Sequence, residues 1–399
     1  VRNPLIVLRE MSRKFKPVVV NDLPPFQGGF VGYFNYDLVR KWEYLPGIFP
    51  ECANTPESLF TFTSRLIIFD HLTHEIKVVA FAHVREHDNL KEVYDSACQG
   101  VDQTIGELQS PLSSASGGDP FSSSDLEANF KRKDFEDVVR KAKDYIVAGD
   151  IIQVVLSQRF SGDVSGDDFI LYRNLRSINP SPYMFYLNFG EIRLIGSSPE
   201  ILVRLTDTKI ELRPIAGTRP RGETPEEDQF LEEELMADPK ERAEHIMLVD
   251  LGRNDVGKVA ISGSVTVPRL MEVERYSHVM HIVSRVEGLL KPEMDGFDLF
   301  MAAFPAGTLS GAPKIRAMEI ICELEPSPRG PYGGAVGYFA FNGNMDFCIT
   351  IRTITIVKNR LSIQVGAGIV YDSSPEGEYQ ETLRKAAAMF KAIERANKR

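Results

Sequence analysis

Two segments set glutamates three residues apart near the start of a helix. In ADPKERAEHIMLVDLGRNDVG (237–257), Asp238 reads as the N-cap, Pro239 as the first helical residue and Glu241 as the third after the cap. Glu241, Glu244, His245 and Leu248 then follow one side at i, i+3, i+4 and i+7. In SSPEGEYQETLRK (373–385), Ser374 caps, Pro375 begins the helix, and Glu378 and Glu381 are again three apart. A solvated face explains either pair alone, and a capping box explains Glu241. Two such helices together suggest more. Four carboxylates in one cleft would raise one another's pKa unless a cation neutralised them. Mg²⁺ suits an oxygen-only donor set and keeps positions open for water and an anionic substrate. One acid could then hold the metal while another moves a proton.

Three further groups bear polar chemistry. FPAGTLSGAPKIRAMEII (304–321) places Gly307, Thr308, Ser310 and Gly311 before a helix starting near Pro313, an arrangement of N–H groups and hydroxyls suited to a carboxylate. It does not meet the GxxxxGK[ST] spacing of a nucleotide-binding loop. RGPYGGAVGYF, ITIRTITI and VGAGIV set Tyr332, Arg352 and the 366–368 backbone beside glycines that permit close approach. Arg352 sits in an otherwise apolar strand pattern, and its bidentate partner is either an internal Asp or Glu or a substrate carboxylate. His281, in SHVMHIVSRVEG, is a lone histidine among apolar residues and on that ground reads as a core residue.

The elements that must position these groups are mixed in type. Residues 58–84 read as a hairpin, SLFTFTSRLIIFD and EIKVVAFAHV joined by HLTH, and 90–109 as a helix. SPLSSASGGDPFSSS (110–124) reads as a flexible linker or surface loop. The chain thus divides into an N-terminal region (1–109), the linker (110–125) and a core (126–399). In the core, DFEDVVRKAKDYIVAGD has helical spacing with a stop at Gly149. IIQVVLSQRF, MFYLNF, IRLIGS, ILVRL, DFCITIRTITIV and LSIQVGAGIV read as strands, and the residues from Ser374 onward as an amphipathic helix. Strands come in runs without strict βαβ alternation, so the expected class is α+β with large antiparallel or mixed sheets and helices outside. GGFVGYF (28–34) and GGAVGYF (333–339) match at six of seven positions, either as related strands or as a shared strand-start composition.

Composition narrows the function classes. With 46 Lys+Arg against 56 Asp+Glu, the net charge is -10, which argues against general nucleic-acid binding. No apolar run approaches a membrane span. The four cysteines (52, 98, 322 and 348) are scattered without CxxC spacing, so neither a disulfide framework nor a cysteine zinc site is expected, and a reducing cytoplasm is.

Together these segments resemble the chorismate-utilising enzymes, most closely the component I subunits of anthranilate synthase. The resemblance runs through 130–395 in QVVLSQRF, NPSPYMFYL, GSSPEILVR, RPIAGTRPRG, HIMLVDLGRNDVG, VMHIVSRVEG, FPAGTLSGAPK, YGGAVGYF and QVGAGIVYDS, and PPFQGGFVGYFNYDLVR resembles the family's N-terminal region. It implies two halves around large sheets with a cleft between them. It also implies a Mg²⁺ ion joining the enzyme to the ring carboxylate of chorismate. By this resemblance Glu244 and Glu381 are direct metal ligands, with Glu241 and Glu378 behind them, and Glu241 is also the candidate acid for the departing C4 hydroxyl. Tyr332 and Arg352 match the holders of the enolpyruvyl carboxylate. Thr308 and the backbone of Gly366, Ala367 and Gly368 match contacts to the ring carboxylate. Gly217 lines the cleft, and His281 stands near the ring for the lyase step.

Two positions discriminate within the resemblance. Relatives that add water carry a lysine base where this chain has Gln153; an amide cannot deprotonate water, but ammonia already has its lone pair. Aminodeoxychorismate synthases typically carry lysine where this chain has Ala216, so no amine nucleophile is present. The expectation is ammonia attack at C2 and elimination of pyruvate. Aminodeoxychorismate, isochorismate or salicylate synthesis is the alternative within the class, and a catalytically silent aromatic-ligand or glutaminase-binding relative the alternative outside it. The sequence holds no Gly-x-Cys-x-Gly nucleophile elbow, so a glutamine amidotransferase subunit (component II) is the expected ammonia source. Asn179, Pro180, Ser181, Tyr183 and Met184 resemble half of the family's tryptophan site. The complementary LLES-type strand is not found, which predicts loss of ordinary tryptophan inhibition.

Overall fold

The computed structural model describes residues 3–18, 20, 23–46, 55–111, 119–276 and 279–398. Two antiparallel sheets dominate it. The larger orders Ile215–Pro220, Val279–Leu289, Lys209–Leu212, Ile201–Thr206, Met345–Ile349, Ala335–Ala340, Gly29–Phe34 and Ser58–Thr63, with Thr266–Arg275 also pairing to Val279–Leu289. The second orders Gly311–Ala312, Gln153–Ser165, Arg360–Ile369, Thr353–Val357, Ile192–Ser198 and Tyr183–Asn188. This is the expected α+β class, realised with antiparallel pairing throughout both sheets.

Period-two patterning sorts the two faces of the second sheet. Ile354, Ile356, Leu361 and Ile363 pack on Leu171, Leu175, Ala386 and Met389 of the flanking helices Phe169–Ile178 and Pro375–Asn397. The other face meets the first sheet, where Leu194, Phe185 and Leu187 pack on Tyr33, Val336 and Cys348. Behind the larger sheet an aromatic core gathers Phe34 against Phe300 (centroids 4.8 Å) and Phe339 against Phe347 (4.8 Å).

The chain passes between the sheets at two neighbouring points. One crossing runs from Ser198 through Pro199 and Glu200 to Ile201. The other runs from Ile349 through Thr350, Ile351 and Arg352 to Thr353. They are bonded to each other: Ile349 N–H donates to Glu200 O (3.0 Å), Ser198 Oγ to Ile349 O (2.7 Å) and Ser197 N–H to Arg352 O (3.2 Å). Arg352 is therefore not within a strand, as DFCITIRTITIV suggested. It is the turning point between two strands, at φ 48°, and the apolar run hid the break because both flanking strands are buried.

Other local readings divide similarly. The predicted helices at 90–109 and from Ser374 form as Leu90–Gln109 and Pro375–Asn397. SLFTFTSRLIIFD is two strands: Ser58–Thr63 pairs with Gly29–Phe34, while Arg65–Asp70 forms the hairpin with Glu75–Ala80. In the predicted linker, residues 112–118 lie outside those described, but Phe121 is buried and Ser122–Ser123 pairs with Gln153–Ser165. GGFVGYF and GGAVGYF lie side by side, Gly32 opposite Gly337. A Cβ at these positions would stand 1.9 Å from Leu59 O and 2.1 Å from Asp346 O, so backbone approach demands glycine at both.

Candidate functional site

A cavity of about 590 Å³ opens between the sheets beside the two crossings. Its lining brings together Gln153, Gly217, Glu241, Glu244, His281, Thr308, Tyr332, Arg352, Gly366, Gly368, Glu378 and Glu381. Of the residues expected at the site, Ala367 stands apart. Strand alternation turns its side chain to the opposite face, fully buried against Leu156 and Ile320. Asn179, Ser181, Tyr183 and Met184 lie at the start of the edge strand Tyr183–Asn188, outside this lining. There Ser197 Oγ bonds Ser181 Oγ (2.9 Å) and Tyr183 Oη donates to Asp346 (2.8 Å). Pro180 is in the same turn.

The four glutamates arrive on two capped helices. Asp238 accepts from Lys240 and Glu241 N–H at the start of Pro239–Val259, and Ser374 from Gly377 N–H at the start of Pro375–Asn397. The capping box expected at Glu241 does not close. Its carboxylate turns into the cavity, 3.5 Å from Arg219 Nη1. Glu244 accepts from Gln153 Nε2 (3.0 Å). Glu381 pairs with Arg384 (2.8 Å) and Lys385 (3.5 Å). Burial pushes the Glu241 and Glu378 carboxyls above their ordinary range, and the charges of Glu244 and Glu381 add to the push. Glu381 moves the other way: burial would raise it, but Lys385 and Arg384 outweigh that and hold it down. Among the described residues no three His, Cys, Asp or Glu side chains stand close enough to form a finished metal cage. The donor set nevertheless fits a hard cation: carboxylates only, two helices, and mutual repulsion that a positive charge would relieve. Gln153 Oε1, beside Glu244, is buried without a hydrogen-bond partner.

The crossings supply an opposed pair. Glu200 is fully enclosed, and burial pushes its carboxyl up to about 7, although Thr308 Oγ1 donates to it (2.9 Å). Arg352 is also desolvated, which lowers its pKa, and Glu200 is the charge that acts on it. Among the described residues no carboxylate comes within ion-pair distance of Arg352, so the internal partner is missing and the guanidinium is left for an anion in the cavity.

The 304–321 loop is not the free anion site its composition suggested. Thr308's hydroxyl is committed to Glu200, and Ser310's closes onto Ala306 O (2.9 Å). Its glycines provide clearance: a Cβ at Gly307 would meet Leu251 at 1.9 Å, and one at Gly311 the Gln153 carbonyl at 2.1 Å.

His281 lies 2.9 Å from the Gly217 carbonyl through Nδ1, with Thr218 Oγ1 at 3.0 Å. A carbonyl can only accept, so Nδ1 carries the proton and Nε2 keeps a lone pair. Burial lowers the ring's pKa, which favours that neutral form. Gly217, at φ 70°, makes the bend that presents this carbonyl.

Sequence reasoning passed over Glu200, Gln364 and Lys385, all in the lining. Lys385 Nζ donates to Gly366 O (3.1 Å). It falls four residues after Glu381, a spacing that places it on the same helical side and could have revealed it. Glu200 follows Pro199 at the junction of two strand patterns, where an acid has no structural excuse.

Residues 6–391 match the family described as chorismate binding enzyme. Anthranilate synthase component 1 of Acetivibrio thermocellus is 49% identical over 400 residues, covering 99% of this chain and 81% of that protein. The component 1 protein of Aquifex aeolicus is 50% identical, covering 98% and 80%. The crystal structure of anthranilate synthase component I from Streptococcus pneumoniae superposes with a TM-score of 0.87 at 41% identity, covering 97% of this chain and 85% of that one.

Proposed function

The chain belongs to the chorismate-binding enzyme family, and from that premise we propose that it works as component I of an anthranilate synthase, converting chorismate and ammonia to anthranilate, pyruvate and water. The observation that carries the reading is the convergence of Glu241 and Glu244 with Glu378 and Glu381 on one cavity that also holds an unpaired Arg352. Near-full-length similarity to component 1 proteins supports it. Gln153 and Ala216 supply neither a base for water nor an amine nucleophile, which favours ammonia over isochorismate or aminodeoxychorismate chemistry. The test is direct. Chorismate, Mg²⁺ and an ammonium salt should give fluorescent anthranilate with this chain alone. Chromatography showing isochorismate or aminodeoxychorismate instead would refute the assignment.

Each lining residue then has a task. Arg352 and Tyr332 hold the enolpyruvyl carboxylate, the guanidinium being strengthened by desolvation. Glu244 and Glu381 would hold a Mg²⁺ ion, with Glu241 and Glu378 as supporting acids, and the ion would supply positive charge for the ring carboxylate. Ammonia forms the bond to C2 as the C4 hydroxyl leaves. Glu200, whose carboxyl titrates at about 7, gives its proton to that hydroxyl, which departs as water; it suits this role better than Glu241, which faces Arg219. The new C2 ammonium returns a proton to Glu200; His281 Nε2 next takes the C2 proton as the C3–O bond breaks, and that proton passes to the methylene carbon of the departing enolpyruvate, leaving pyruvate and an aromatic amine.

Two expected outcomes follow from this geometry. The His281 ring is held below its ordinary value of 6.5, so its base form survives further into acid. The acid limb of kcat/KM should therefore fall below pH 6.5, and a pH–rate profile with that limb at or above 6.5 would contradict the role. Gly366→Ala would set a Cβ 2.6 Å from Tyr332 Oη and 2.9 Å from Leu156 O. It should raise the KM for chorismate about tenfold or more, measured by initial rates, with a smaller change in kcat.

The relatives' designation as component 1 implies a second component. We take it to be a glutamine amidotransferase subunit that delivers ammonia. No helix among the described residues is long and apolar enough to cross a membrane, and a cytoplasmic setting is part of the proposal.

A further inference from the structure

An ion pair is buried behind the cavity wall that carries Tyr332. Arg329 and Glu325 are 2% and 6% exposed, and neither is among the cavity's lining residues. They meet fork to fork: Arg329 Nε donates to Glu325 Oε2 (2.9 Å) and Nη2 to Oε1 (2.6 Å). The strand Gln153–Ser165 explains why a charged pair is placed there. One of its edges pairs with Arg360–Ile369. The other pairs with Gly311–Ala312 as far as Val154 and with Glu127–Ala128 from Phe160 onward. Between those points, among the described residues, no strand covers that edge. The two side chains take the missing neighbour's place: Arg329 Nη2 donates to Val155 O (2.7 Å), and Glu325 Oε1 accepts from Ser157 N–H (2.8 Å). Each buried charge is thus paired and also hydrogen-bonded to backbone, the condition under which such burial is tolerated.

Resting on the reading of Tyr332 as a holder of the enolpyruvyl carboxylate, we propose that Arg329 is a positioning residue for chorismate: without touching the substrate, it sets the Tyr332 ring and the wall on either side of it. Three observations carry the assignment. Tyr332 is 8% exposed, yet no hydrogen bond ties its hydroxyl to a described residue. The hydroxyl is left for a ligand, so the ring is aimed by what packs on it. The Arg329 guanidinium lies over that ring, 5.6 Å from its centroid, and over the Tyr36 ring at 4.6 Å. The same guanidinium also fixes the neighbouring wall. Its Nη1 donates to Leu309 O (2.6 Å) and its Nη2 to Val155 O, and both Leu309 and Val155 line the cavity. Clearance at the ring is tight as well. Tyr332 Oη stands 2.6 Å from where a Cβ on Gly366 would be, so a small shift of the ring changes the room left for a carboxylate. Lysine could not replace this arginine, because an ammonium offers three donors from one point and no planar face to a ring.

The test is Arg329→Lys, which leaves Glu325 a positive partner, alone and combined with Tyr332→Phe. Steady-state rates are measured at saturating ammonium with chorismate varied. A hold on the unreacting carboxylate acts on ground and transition states alike, so its misalignment shows in KM. Arg329→Lys is expected to raise the chorismate KM about tenfold or more, with kcat kept within about threefold. In the Tyr332→Phe background the same change should add no more than about twofold, because the hydroxyl it aims is already gone. A general loosening of the fold would instead multiply the two effects and lower kcat as well, and that result overturns the proposal. So does an Arg329→Lys protein whose chorismate KM stays within about twofold of the unmodified value. If thermal scans show that Arg329→Lys does not fold, Glu325→Gln decides, since it loosens the guanidinium without removing it. That variant should raise the chorismate KM about threefold or more with kcat retained, and an unchanged KM refutes the role. Tyr332→Phe alone tests the premise: a chorismate KM unchanged by it would overturn the reading of Tyr332 on which Arg329 depends.

Discussion

Glu381→Ala is expected to abolish anthranilate formation, by about a thousandfold or more in kcat/KM, while leaving the protein folded. The carboxylate is on a helix whose cap at Ser374 and apolar contacts at Met389 and Ile393 do not depend on it. Its protein partners, Arg384 and Lys385, are 70% and 46% exposed, so the ion pairs lost are worth less than about 1 kcal/mol. The functional loss is larger because the remaining acids alone would have to hold the proposed cation, and through it the ring carboxylate. Glu376→Ala is the control on the same helix. Glu376 is outside the cavity lining, 71% exposed and paired with Arg132 (2.7 Å). It should keep activity within about twofold. Initial rates and thermal midpoints of both variants decide the matter; an active Glu381→Ala protein would remove the metal assignment.

Glu200→Gln should separate stability from activity. A buried carboxyl that titrates at about 7 against an ordinary value of 4.5 binds its proton more tightly in the folded state. The sign follows: the fold bears no cost from this group below pH 4.5, loses stability as pH rises from 4.5 to about 7, and carries the whole penalty above. A neutral amide of the same shape can still accept from Thr308 and removes that penalty, worth roughly 3 kcal/mol. The variant should therefore unfold at a higher temperature than the unmodified protein at pH 8 and at a similar one at pH 4.5. It should also lose about a hundredfold or more in kcat, since no proton is available to the leaving hydroxyl. Thermal scans at the two pH values and rates at neutral pH check both halves. Such a trade-off is expected of a group kept for chemistry at the expense of the fold.

Much of the site was legible because helical spacing is local. The i, i+3 glutamates and their Asp238–Pro239 and Ser374–Pro375 starts fix which way four acids point once the helices form. What periodicity cannot give is the meeting of distant elements. That both helices face one cavity depends on how two sheets are packed, and only the resemblance to chorismate-utilising enzymes supplied it beforehand. Glu200 was missed because its role comes from enclosure at a sheet crossing, which no spacing records. Arg352 was found but misplaced in a strand, since the β-branched Thr350 and Ile351 continue the strand-forming pattern through the turn. Glu241 had a sufficient local explanation in the capping box. The structure withdraws it, because the side chain turns to Arg219 instead. At 304–321 composition favoured an anion loop, whereas the glycines answer to close packing against Leu251 and Gln153.

The central proposal is spatial: the acids far apart in the chain that line one cavity would hold one divalent cation that anchors an aromatic-ring precursor. A crystal of this protein soaked with Mn²⁺, as an anomalous stand-in for Mg²⁺, and benzoate measures it most directly. The account predicts a single strong metal peak touching both Glu244 and Glu381, with the benzoate carboxylate completing its coordination above Gly366 and Gly368. A metal bound elsewhere, or benzoate seated without one, would contradict it.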